Sequence, residues 1–152
     1  MMTSVFKKHL TRMKQLNKFQ NIIFLLGGLF MTVGAGGYAF LICQSVSSVL
    51  FIVGAVAFAS MQMMQSYDGN NIAVRRLRRI MTLADVFFII AGLLAFEENH
   101  GWIRNMLGKN GSTYITFVVM TQGKWVAILL IAAILELYTT HRIAHELDKE
   151  KQ

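Results

Sequence analysis

Four apolar runs, each of helical length for a bilayer, alternate along this chain with short polar or basic connections. The first covers residues 22–43 without a charge, roughly 33 Å of helix at 1.5 Å per residue, which suits the hydrocarbon core. It exceeds a signal-peptide apolar region and no A-x-A site follows, so it reads as an uncleaved span. A polar break at residues 44–48 leads into the second span, about 47–65, and a connection this short predicts an antiparallel hairpin. The third span, about 80–96, is interrupted once, by Asp85. The fourth, about 125–140, carries Glu136 near its end and runs on into a charged helical tail at 141–152.

Two stretches read less directly. Residues 97–124 form the longest connection between spans, and residues 114–120 have the β-branched and aromatic bias of a strand. The same residues read equally well as the outer end of the fourth helix. Beside Trp125, Lys124 reads as an anchor at a membrane interface, where both residue types are favoured. In the arm over residues 1–20, Val5, Phe6, Leu10, Met13 and Leu16 fall on one helical face and Lys7, Lys8, Arg12, Lys14 and Lys18 on the other. That pattern predicts an amphipathic helix lying among lipid headgroups.

Small residues mark where spans approach each other. Gly28, Thr32 and Gly36 recur every four residues on the first span, and Gly54, Ala55 and Ala59 line the second. Small faces let helix backbones come close in lipid. The fold class expected is therefore all-α, a single membrane domain with four transmembrane helices in a bundle and an interfacial N-terminal helix.

Composition agrees: the chain is 55% hydrophobic and 15% charged, against roughly 25% charged in ordinary soluble domains. Its net charge of +7 points to nucleic acid until the charges are placed. The basic residues flank the apolar runs, so no nucleic-acid partner is expected. With both termini on one side, twelve Lys and Arg lie there against three on the other, which assigns the termini to the cytoplasm of a plasma (inner) membrane. Lys7, Lys8, Lys14, Lys18, Arg75, Arg76, Arg78 and Arg79 are then the candidate contacts to lipid headgroups.

The chemistry-bearing residues are few. The single cysteine, Cys43, excludes a disulfide framework and CxxC chemistry and reads as a small apolar helix residue. His141 and His145 have i,i+4 spacing, but no third ligand accompanies them, so no metal site is assigned. No catalytic residues, cofactor or enzymatic activity are expected. The chain resembles small multidrug exporters in span number only, since its first span lacks the glutamate they need.

Asp85 and Glu136 remain. Asp85 lies about 9 Å from Arg79 and Glu136 about 7.5 Å from His141 by helical rise, so both belong to the cytoplasmic third. Asn21, Gln62 and Gln65 stand at the same level, and the five residues make a candidate polar intramembrane cluster. It reads either as a network locking helices together or as a pocket for a proton, ion or anionic headgroup. The leading functional expectation is a non-enzymatic accessory or scaffold subunit, contacting membrane lipid and either a second copy or another membrane protein. The alternative is a small oligomeric proton- or ion-coupled transporter or channel using Asp85 and Glu136.

Overall fold

In the computed structural model, residues 16–108 and 111–149 are described. They form α1 (Lys18–Ala39), α2 (Gln44–Met64), α3 (Ile72–His100), α4 (Trp102–Met106), α5 (Ser112–Thr121) and α6 (Lys124–Lys149), with no strand among the described residues. Four segments are long and apolar enough to cross a membrane: α1, α2, α3 and the Ser112–Lys149 stretch that contains α6. The expected arm helix, with Lys7, Lys8 and Lys14, lies outside the described residues. Lys18 belongs to α1, whose start is fixed by Gln20 Oε1 accepting from the Asn17 N–H at 3.0 Å.

Helix ends depart from the hydropathy boundaries. α1 stops at Ala39, and the apolar Phe40, Leu41, Ile42 and Cys43 make the turn. Leu41 (φ 60) and Cys43 (φ 42) take the left-handed conformation that reverses the chain. Cys43 is thus an exposed cap of α2, not an intrahelical residue. The expected polar break is the first turn of α2 instead. There the Ser47 hydroxyl donates to the Ile42 carbonyl at 2.7 Å and Ser48 to Ser45 at 3.0 Å, so the serines serve a helix start.

α3 is longer than the third apolar run at both ends. Asn71 Oδ1 accepts from the Ala73 and Val74 N–H groups at 2.9 and 3.4 Å, so the arginines of residues 75–79 lie on helix. At the far end the helix includes Glu97, Glu98, Asn99 and His100 and stops at Gly101, whose φ of +63 suits a glycine. Residues 114–120 are helical, within α5, and not a strand. A strand needs a partner edge; α5 satisfies its backbone internally, with Thr121 donating back to Phe117 at 2.8 Å. Gly123 (φ +68) breaks α5 from α6, which begins at Lys124. Trp125, however, is not a surface anchor. Its ring is 6% exposed and meets Tyr38 and Phe51 at centroid distances of 5.2 and 6.0 Å.

Packing runs α1 on α2, α2 on α3 and α3 on α6, all antiparallel neighbours. The α1–α2 contact is glycine-built, closest at Gly27 and Gly34 and with Gly28 against the Phe58 ring, whereas Thr32 and Gly36 lie outside it. A Cβ at Gly34 would strike the Phe51 backbone, and one at Gly54 the Met31 backbone; at Gly36 it would meet nothing within 4 Å. Thr32 is exposed and donates to its own helix at Gly28. The apolar seam gathers Phe51, Ala55, Phe88, Ala91, Ala95, Trp125 and Ala132. A second small core, Val74, Leu77, Met81 and Ile143, joins the start of α3 to the end of α6.

Candidate functional site

The ends of the helices differ in what they bury. At one end, the basic end, the close of α2, the first half of α3 and the middle of α6 meet. α2 brings Gln62, 3% exposed, and the half-buried Gln65; α3 brings Asp85, 1% exposed, and the half-buried Arg78; α6 brings Glu136. Each of these side chains turns inward because it lies on the same helical face as a core residue. Asp85 follows Ala84 and precedes Phe88 by three positions, and Gln62 follows Ala59 by three.

The geometry ties these residues unevenly. Gln62 Nε2 donates to Glu136 Oε1 at 2.6 Å, a short bond to an ionisable acceptor that joins α2 to α6 across 74 residues of sequence. Thr140 Oγ1 donates to the same oxygen at 3.4 Å. Arg78 reaches Gln65 Oε1 at 3.4 Å. Asp85 has no such bond: neither of its oxygens has a hydrogen-bond partner, nor do Gln62 Oε1 and Glu136 Oε2. The charges acting on Asp85 are Glu136, which repels its negative form, and Arg78, which attracts it.

Beside these groups lies a cavity of about 230 Å³. Gln62 and Asp85 form its deep wall, and Arg75, Arg78 and Arg79 line it together with Tyr67 and Thr82. Arg75 and Arg79 are exposed, so the cavity opens at the basic end. The cluster read from sequence therefore assembles from Gln62, Gln65, Asp85 and Glu136. Asn21 is not part of it. It is exposed on α1, which packs against α2, and no residue of α1 lines this cavity. Arg76 is exposed and lies outside the cavity wall.

Tyr67 and Thr82 were not marked by the sequence. A tyrosine in a connection and a threonine among arginines give no contrast with their neighbours, unlike a carboxylate in an apolar run.

The opposite end carries acids whose partners are within the fold. Glu97 accepts from the N–H groups of Ile103 and Arg104 at 3.0 and 2.9 Å, closing the start of α4. Glu98 Oε2 accepts from the Gly123 N–H at 3.3 Å, and Arg104 donates to the Glu98 carbonyl at 2.9 Å. These bonds shape the α3–α6 connection, which hydropathy marks only as a stretch between spans. On α6, Arg142 and Lys149 flank Glu146 at 3.7 and 3.2 Å, at i,i+4 and i,i+3 spacing. His141 and His145 are exposed, and no group of three metal-ligating side chains occurs among the described residues.

Comparison with protein-family models, curated proteins and solved structures finds no match to this chain. The reading of the site rests on its own geometry.

Proposed function

We propose that this chain is a multi-pass membrane protein of the plasma (inner) membrane, with its four apolar segments spanning as a bundle. Both termini and the basic end lie in the cytoplasm. It acts without catalysis, as an accessory or scaffold subunit that packs against other membrane helices and against anionic lipid.

The observation that carries the non-transporting reading is the apolar middle of the helices. Buried polar groups lie at both ends, Gln62, Asp85 and Glu136 at the basic one and Ser47, Ser48 and Glu97 at the other, and a seam of Ala55, Phe58, Phe88, Ala91 and Ala132 separates them. A proton or ion route needs polar partners through the whole thickness, and that seam supplies none. The apolar faces support the membrane and packing parts of the reading. Leu25 on α1 is 63% exposed and Leu137 on α6 is 76% exposed, surfaces that lipid or another helix covers at little cost and water does not.

Isolation of the tagged chain in gentle detergent, with mass determination of the intact particle, tests this. A second membrane protein in fixed ratio is expected. A particle of this chain alone, whose proteoliposomes show a proton or cation flux that Asp85→Asn abolishes, overturns the reading in favour of a transporter.

Orientation has its own reporter in Cys43, the single cysteine, exposed in the α1–α2 turn. A membrane-impermeant maleimide is expected to label it in right-side-out vesicles and not in sealed inverted ones. The opposite pattern reverses the assignment of the termini.

A further inference from the structure

The buried groups at the basic end are short of donors. Both Asp85 oxygens, Gln62 Oε1 and Glu136 Oε2 are buried acceptors without a hydrogen-bond partner. Native interiors leave few such atoms, and the three that belong to the cavity wall, on Asp85 and Gln62, call for a ligand that brings N–H groups. Towards the mouth the chemistry reverses: Arg75, Arg78 and Arg79 line the same cavity and present only donors and positive charge. A bare cation would have to pass the arginines, and a bare anion would leave Asp85 unanswered. No three-residue metal set stands nearby among the described residues.

We propose that this cavity holds an ammonium–phosphate zwitterion, the headgroup of an aminophospholipid of the phosphoethanolamine type. Its primary ammonium lies against Asp85 and Gln62, and its phosphate lies among the arginines at the mouth. A primary ammonium offers three donors to acceptors that have none, and guanidinium groups bind phosphate in a fork. A cavity of about 230 Å³ holds a headgroup and leaves acyl chains outside, against the apolar faces of α2 and α3. Val56 and Met63 of α2 and Leu83 and Val86 of α3 are exposed apolar residues available for that contact. The proposal rests on the membrane reading above and specifies which lipid the basic end selects.

The test uses the full chain, purified in detergent, exchanged into mixtures of phosphatidylethanolamine, phosphatidylcholine and phosphatidylglycerol, and weighed intact with its retained lipid. Retention of phosphatidylethanolamine over phosphatidylcholine by at least about tenfold is expected, since the trimethylated headgroup has no N–H to donate. Asp85→Asn is expected to abolish that preference. The double variant Arg75→Gln/Arg79→Gln changes only exposed side chains and is expected to weaken retention of phosphatidylethanolamine and phosphatidylglycerol alike. Equal retention of the three lipids by the wild-type chain, or an ethanolamine preference that survives Asp85→Asn, overturns the proposal. Soluble phosphoethanolamine that binds while no lipid is retained overturns the lipid source. None of these outcomes depends on a protein partner, so the accessory-subunit reading stands or falls separately, on the isolation experiment.

Discussion

Asp85→Asn is expected to stabilise the purified chain, by about 1–3 kcal/mol in detergent lacking aminophospholipid. A carboxylate that is 1% exposed, with no hydrogen bond to either oxygen, is held in place by the rest of the fold and does not hold the fold together. The isosteric amide removes the buried charge. It also supplies two donors beside Gln62 Oε1 and Glu136 Oε2, two acceptors that lack them. The competing view, in which Asp85 locks α3 into a buried ion-paired network, expects the opposite sign. Removing one partner of a buried pair costs about 3–5 kcal/mol. Equilibrium unfolding in mixed micelles, followed by helical circular dichroism, measures the difference, and the sign alone decides between a lock and a binding site. Gln62→Leu provides the contrast within the same cluster. It removes the 2.6 Å bond to Glu136 and leaves another buried carboxylate oxygen unanswered, so a loss of about 1–3 kcal/mol is expected.

The largest destabilisation is expected at the α1–α2 contact, where Gly54→Leu should cost about 3 kcal/mol or more. A Cβ at Gly54 would meet the backbone nitrogen of Met31 and the carbonyl oxygen of Gly27, and backbone cannot rotate aside as a side chain can. Gly34→Val acts from the other helix, against the Phe51 backbone and the Ser47 carbonyl oxygen. Gly36→Ala is the control, since an added methyl there meets nothing within 4 Å; a change within about 0.5 kcal/mol is expected. Limited proteolysis at the α1–α2 turn, together with unfolding midpoints, reads both effects. If Gly54→Leu unfolds at the wild-type midpoint, the close backbone approach described for these helices is wrong.

The contrast between these glycines also shows where sequence reading stops. Spacings of four on one face (Gly28, Thr32, Gly36) and of seven on another (Gly27, Gly34) are both present in α1. Periodicity identifies candidate faces, and only the position of α2 selects one. Asn21 failed for the same reason: depth along a helix is readable from residue count, but the side of the helix that meets its neighbours is not. Asp85, Gln62 and Glu136 were legible because a polar group in an apolar run stands out whatever the packing.

The four long apolar segments were legible too, whereas their ends were not. Hydropathy marks where a chain suits hydrocarbon, but a helix ends where its backbone hydrogen bonds do. Asn71 and Gly101 therefore extend α3 over charged residues that hydropathy had assigned to connections. The turn at residues 40–43 went the other way, since Leu41 and Cys43 take left-handed backbone without the glycine that would have announced it.

The bond between Gln62 and Glu136 sets an order of events during synthesis. Gln62 belongs to the hairpin of α1 and α2, which leaves the ribosome before α6, the helix that carries Glu136. Throughout the interval Gln62 lacks the acceptor for its amide, although every residue of the cavity wall, from Gln62 to Asp85, is already made. A product that stalls before α6 therefore keeps the glycine-packed hairpin and the residues of the cavity wall, but not the bond that ties α2 to α6.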